Sequence, residues 1–172
     1  GIKVIPPPPP PPPAPTLVNV ELKAQDNLNP DTRGRPSPLL VRLYELSTPA
    51  GFEALPFDTL QADDTAGLKP DLVDKREHVI APGSTTAIGM KPDDKVKFIG
   101  VFASFRDLER AKWRTVVPVK GNATQRVELR FDDRSIIASV VVAPPSPSVP
   151  PSPSATPKPP TTLPAKPAVP PA

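Results

Sequence analysis

His78 is the only histidine in the chain, so a serine–histidine–aspartate relay would have to run through that one ring. Such a relay needs a base within reach of a nucleophile, often a serine on a G-x-S-x-G elbow. No G-x-S-x-G is present, and His78 closes a charged run, Asp74-Lys75-Arg76-Glu77-His78. It reads as a surface residue near a strand edge, and no catalytic residue is assigned. Paired carboxylates could instead hold a cation. Asp63-Asp64, Asp93-Asp94 and Asp132-Asp133 all lack the D-x-[DN]-x-[DN]-G spacing of a calcium loop. Each pair is expected at a turn. The chain contains no cysteine, which removes disulfides and thiolate metal sites together. There is no glycine-rich phosphate loop. No metal and no cofactor is implied, and elimination leaves a binding module.

Charged side chains suited to recognition stand in one place, the segment Gln25 to Pro38. Asn29-Pro30-Asp31 starts a turn, because Pro30 pre-sets φ and Asn29 can bond the backbone ahead of it. Gly34 permits a positive φ, while Pro36 and Pro38 stiffen the return. Fourteen residues is more than a hairpin requires, and loops of that length are commonly functional or disordered. This one holds too many rigid turn-formers to be floppy. Arg33 and Arg35 fall at its apex, and arginine is enriched at interface hot spots. The plain alternative is a solvated loop with two surface arginines.

The elements that must hold this loop are strands. Leu17 to Ala24 alternates, with Val18, Val20, Leu22 and Ala24 on one face and Asn19, Glu21 and Lys23 on the other. Leu39 to Leu46 repeats the pattern with Leu39, Val41 and Leu43 inward. Lys95 to Val119 organises the rest. Val96, Phe98, Ile99, Val101, Phe102, Ala103 and Phe105 form a nearly continuous apolar run, the mark of a strand buried on both faces. Leu108 to Lys112 can make one helical turn before Trp113 opens the returning strand, and together these form the centre of a sheet. Trp113 is expected to be largely buried against Phe98, Phe102 and Phe105.

Ser47 to Ile80 predicts short helical turns, the best over Phe57 to Asp64, packed as a lid on one end of the sheet. A further turn is expected around Lys69 to Lys75, with only Val79-Ile80 extended. Thr85 to Met90 is another strand, Gly121-Asn122 a hairpin turn, and Thr124 to Phe131 a strand with Val127, Leu129 and Phe131 inward. Ser135 to Val142 is a last apolar strand. The chain is therefore all-β, a β-sandwich of seven to eight strands with a small helical insertion.

Of the 31 prolines, nine lie in residues 1–15 and thirteen in 144–172. The expected organisation is a proline-rich spacer 1–15, a sandwich domain 16–143 and a disordered Pro/Ser/Thr-rich tail 144–172. Pro6 to Pro13 is a polyproline II rod of about 25 Å at ~3.1 Å per residue. It acts as a spacer or as a ligand for a proline-reading groove. The net charge of +3 comes from Lys3, Lys158 and Lys166 alone. A core with balanced charge and few aromatics argues against nucleic acid. No stretch of 18 apolar residues could cross a membrane as a helix. An exported chain would already have lost its signal peptide. On these grounds the chain reads no further than a binding module, open to a free periplasmic or extracellular sandwich that binds carbohydrate or surfaces and to a proline-rich ligand.

Several segments in order resemble one family. They are Asn29-Pro30-Asp31, Gly34-Arg35-Pro36-Ser37-Pro38, Val41-Arg42-Leu43-Tyr44-Glu45-Leu46, Phe52 with its lid, and Pro82-Gly83. Gly100-Val101-Phe102-Ala103, Phe105-Arg106-Asp107 and Trp113-Arg114 continue the series. Together they are similar to the type VI secretion lipoproteins of the TssJ (SciN-like) family. The resemblance implies a transthyretin-like β-sandwich, a lipid anchor on an N-terminal cysteine and residence on the periplasmic face of the outer membrane. It also implies a partner, the periplasmic domain of TssM, bound through the loop between the first two strands. Asn27, Asn29, Pro30, Asp31, Arg33, Gly34, Arg35 and Pro36 are then the expected contact residues. The sequence is expected to start after the acylated cysteine, with the N-terminal prolines holding the core away from the lipid.

Overall fold

The computed structural model describes residues 1–143. The expectation of a disordered tail over 144–172 lies outside them. Strand β1 (Leu17–Ala24) forms where alternation predicts it, and Val18, Val20, Leu22 and Ala24 are buried. β2 (Leu39–Leu46) also keeps its predicted bounds, but both of its faces are covered. Leu39, Val41 and Leu43 point between the sheets, whereas Tyr44 and Leu46 point into a second core. α1 (Ala50–Ala54) and α2 (Phe57–Leu68) follow, the latter broken at Asp63. The remaining strands are β3 (Leu72–Ile80), β4 (Thr85–Met90), β5 (Phe98–Ala103), β6 (Arg114–Pro118), β7 (Thr124–Phe131) and β8 (Ile136–Ala143).

These eight strands make two four-stranded sheets, ordered β4-β1-β7-β8 and β3-β2-β5-β6. β1 runs parallel to β7, with Val20 level with Val127, and antiparallel to β4. Inward side chains of both sheets interdigitate in the main core, as expected of a sandwich. Residues 1–15 carry no secondary structure and, apart from Ala14, are exposed.

Several expectations change. β5 is buried on both faces as read, but its returning partner β6 is an edge strand, so the centre of that sheet is β2–β5. Gly121-Asn122 does not close a hairpin, because β6 and β7 belong to different sheets and the turn carries the chain across the sandwich. Asn122, at φ +57°, instead ties this crossing to the chain entry, donating from Nδ2 to the Ala14 carbonyl at 2.7 Å. The segment from Leu72 is a strand rather than a turn, since β3 pairs with β2 from Leu46↔Leu72 through Leu39↔Ile80. Its charged residues hid the strand: β3 is an edge, and side chains at an edge need not be apolar.

The helices cap a face, not an end. Phe52, Leu60 and Leu68 pack on Tyr44, Leu46 and Phe102 across the outer side of the β3-β2-β5-β6 sheet. A side chain at Gly100 would meet the Phe52 ring and Leu46 at 3.1 Å, so glycine in mid-strand lets the aromatic lie on the backbone. Trp113 is half-buried, with Phe57 and Phe102 around it at ring-centre distances of 5.1 and 5.8 Å. Trp113 packs against both cores but is not largely buried as expected, because it sits at the lid margin, where the Arg114 guanidinium covers the indole at 4.4 Å.

Sheet cations hold the lid by its unpaired carbonyls. The last carbonyls of a helix lack partners within it, and Arg114 Nη1 donates to Phe52 O at 3.0 Å and Leu55 O at 2.6 Å. Near the break in α2, Arg42 Nη1 donates to Leu60 O at 2.9 Å and Gln61 O at 3.2 Å. Asp64, expected at a turn, is buried within α2. Its carboxylate accepts from the Tyr44 hydroxyl at 2.9 Å and from Lys75 Nζ at 3.1 Å. Burial pushes its pKa up, but hydrogen bonds from Lys75, Tyr44 and the Thr65 N–H outweigh that and hold it below the ordinary value of 3.8. A carboxylate with a depressed folded pKa stabilises above its unfolded pKa, and that contribution is lost as pH falls through the folded value. Asp64→Asn should therefore cost about 2 kcal/mol at pH 7, as for hydrogen bonds to a charged group. The gap between variant and parent should close in urea melts run well below pH 4. A gap independent of pH would remove Asp64 ionisation from the lid's stability.

Candidate interaction site

The loop between β1 and β2 is built on a buried plug. Leu28 is fully buried, and the neck closes where Ser37 N donates to Leu28 O at 2.9 Å. Asn29 sits beside it, 4 % exposed and at φ +42°, a conformation asparagine tolerates better than most residues. Its Nδ2 donates to Pro38 O at 3.0 Å, and its Oδ1 accepts from Arg106 N at 2.9 Å. One side chain thus clasps both limbs of its own loop and fixes the β5–β6 loop against them. The base is also braced by the Pro82-Gly83 turn: Gly83 N donates to Gln25 O, and a Cβ at Gly83 would meet Asp26 Oδ1 at 2.8 Å.

Beyond the clasp, Asp31 shapes the tip. Its Oδ1 accepts from the N–H groups of Arg33 at 2.8 Å and Arg35 at 3.0 Å, while Oδ2 takes Arg35 Nε at 3.2 Å. The Arg35 N–H, followed by the Arg33 N–H and the Arg35 side chain, holds the Asp31 carboxyl below its usual range. Gly34 turns the chain at φ +80°. The tip is therefore preformed, and Thr32, Arg33, Gly34, Arg35 and Pro36 are exposed on it.

The eight expected contact residues divide by this geometry. Asn27, Arg33, Gly34, Arg35 and Pro36 are exposed, Pro30 and Asp31 are half-buried, and Asn29 is interior. Asn29 and Asp31 act by fixing the shape. Sequence reasoning did not assign to this site the residues that other loops bring. Arg106, Asp107 and Arg134 join Pro30, Asp31 and Thr32 around a cleft of about 550 Å³. Arg134 Nε lies 3.2 Å from Asp107 Oδ2. Among the described residues, neither Arg33 nor Arg106 has a carboxylate within ion-pair distance. Phe105-Arg106-Asp107 was visible as a motif, but its closeness to the first loop depends on strand order. The result is a rigid, positively biased surface suited to acidic side chains.

His78 lies in β3 opposite Val41, half-buried. Asp93 and Asp132 do serve turns, accepting from Lys95 N and from Arg134 N and Ser135 N respectively. None of the exposed large apolar side chains among the described residues is aromatic, and Phe57 and Trp113 are half-buried.

The model of a family described as type VI secretion lipoprotein (VasD, EvfM, TssJ) matches residues 16–134. The crystal structure of the T6SS lipoprotein TssJ1 from Pseudomonas aeruginosa is similar at 34% identity and a TM-score of 0.71, over 76% of this chain and 98% of that one. Serratia marcescens Lip, a membrane-bound component of the type VI secretion system, superposes with a TM-score of 0.67 at 19% identity, over 72% of this chain and 97% of its own. The structure of the TssM C-terminal domain (869–1107) from EAEC matches with a TM-score of 0.55 at 23% identity, over 75% of this chain and 98% of that one. The last two, at such identities, speak for the fold alone. No curated protein matches the sequence.

Proposed function

The chain belongs to the type VI secretion lipoprotein family, and from that premise we propose that it binds the periplasmic domain of TssM through the β1–β2 loop. In this reading it is a non-enzymatic envelope component, lipid-anchored on the periplasmic face of the outer membrane. It tethers the secretion complex to that membrane, and residues 1–15 hold the sandwich clear of the lipid. The observation that carries the proposal is the built tip. Asp31 and Asn29 fix the loop before any partner arrives, and Arg33 and Arg106 stand beside each other's loops without a carboxylate. A preformed loop loses little entropy on docking, and desolvated arginines are common energetic anchors.

The test is calorimetric titration of the TssM periplasmic domain against the parent and an Arg33→Glu/Arg106→Glu double variant. Binding should weaken by at least ~2 kcal/mol, the level of a hot-spot cluster. Circular dichroism should be unchanged, because both side chains point to solvent. Undiminished affinity in a folded variant would move the contact elsewhere, first to the lid surface between Phe52 and Leu68.

A further inference from the structure

A proline rod is stiff only along its own length. Pro6 to Pro13 can keep a direction relative to the sandwich only if the chain joining them to β1 keeps one too. That joint is three residues, Ala14, Pro15 and Thr16. Pro15 fixes its own φ and confines Ala14 to extended backbone, so the remaining freedom lies on either side of it. Asn122 binds on both sides. Its Nδ2 donates to Ala14 O at 2.7 Å, and its N–H donates to Thr16 Oγ1 at 2.8 Å. Leu17 N then donates to Ala123 O at 3.0 Å, where β1 begins its pairing with β7. The loop that carries Asn122 is itself pinned. Gln125, 2 % exposed, accepts from Lys120 N through Oε1 and donates to Pro118 O through Nε2, both at 2.9 Å. Val119 N adds a bond to Lys97 O at 2.8 Å. A buried amide thus holds the crossing between the sheets, and the crossing holds the root of the rod.

We propose that Asn122 is a positioning residue that locks the root of the proline rod, so that rod and sandwich turn as one rigid body. Asn122 is exposed, and water could serve the same groups, so its bonds add little to stability. What they fix is direction. The use of that direction rests on the tether reading. The rod enters at the Leu17 end of β1, and the Arg33 tip follows its Ala24 end, so the two leave opposite ends of an eight-residue strand. A locked root presents the tip at a set distance and direction from whatever holds the N-terminal end of the rod. A swivelling root would spread the tip over many positions, and docking would have to freeze that freedom. Asn122 and Ala14 are 108 residues apart, and the parallel pairing of β1 with β7 is what brings them together.

The chain has no cysteine, so two nitroxide labels can be placed cleanly in the full protein. Ile5→Cys marks the far end of the rod, and Val79→Cys, 69 % exposed on β3, marks the sandwich. The distance between the labels, measured by pulsed electron spin resonance, should be narrowly distributed. Asn122→Gly/Thr16→Val removes the Asn122 amide and the Thr16 hydroxyl without backbone strain, since glycine accepts the φ of +57°. In that background the distribution should broaden at least about twofold, as a flexible joint replaces a fixed one. Position 122 lies outside the chain path between the labels, so glycine there cannot itself be the hinge. Thr16→Ser keeps the acceptor and should stay as narrow as the parent. The melting temperature of the double variant should fall by less than about 4 °C, the size of a surface effect, so the broadening is not unfolding. A parent distribution as broad as that of the double variant overturns the proposal. So does a double variant as narrow as the parent, since Pro15 alone would then set the direction. Neither measurement involves a partner or a lipid, so failure of the tether reading would appear in the calorimetric titration and not here.

Discussion

Phe52→Ala is expected to destabilise the protein by about 3–5 kcal/mol, the range for removing a fully buried aromatic ring. Phe52 has no exposed surface and is the only buried residue of α1. Its ring lies against Tyr44 at 5.7 Å and directly over Gly100, where no other side chain can fill the space. The five-residue helix cannot persist by itself. Loss of the ring should therefore free the Phe52 and Leu55 carbonyls from Arg114 and expose Phe102 and Trp113. Chemical denaturation followed by tryptophan fluorescence measures both effects, since the only tryptophan reports on the lid margin. A shift below about 1 kcal/mol, the size of an ordinary surface effect, would show that the lid is held by its arginines rather than by Phe52.

Asn29→Ala should cost about 2–4 kcal/mol, because it orphans Pro38 O and Arg106 N and leaves alanine at a positive φ. Asn29→Gly separates the two causes: it relieves the backbone but restores neither bond, so it should recover only part of the loss. Both variants should also weaken TssM binding although Asn29 itself is interior, because the Arg33 tip and the Arg106 loop lose their common support. Thermal melts and titration of the same samples check the pair. Stability lost with binding intact would mean that the tip docks without its clasp, and the preformed-loop proposal would fail. A linker replacing Asn29 to Arg35 outright would remove the clasp with the tip, so it would be a poor test of either.

Local patterning reached some parts of this molecule and not others, for identifiable reasons. β1, β2, β4 and β7 kept their predicted bounds, because a strand with one or two covered faces must repeat apolar side chains at every second position. The long β1–β2 loop stood out because prolines, Gly34 and Asn29 together exceed what a turn needs. β3 was read only at its Val79-Ile80 end, since the rest of its sequence, Leu-Val-Asp-Lys-Arg-Glu-His, carries the charges of an edge. β8 was read as an apolar strand over Ser135 to Val142 and forms over Ile136–Ala143. Its exposure was not legible, because membership of a core depends on what lies across the sheet, and among the described residues nothing covers most of this strand.

Composition and periodicity alone were enough for an all-β sandwich with balanced charge and no thiol chemistry. Those follow from residue types and from spacing of two along the chain. Pairing order, the face on which the helices settled and the company kept by the β1–β2 loop belong to the tertiary structure. Asn29 and Arg106 are 77 residues apart, yet one hydrogen bond joins them. No local pattern encodes that contact. It exists because β1 and β2 are in different sheets, with β5 beside β2, and the loops at one end of the sandwich must meet.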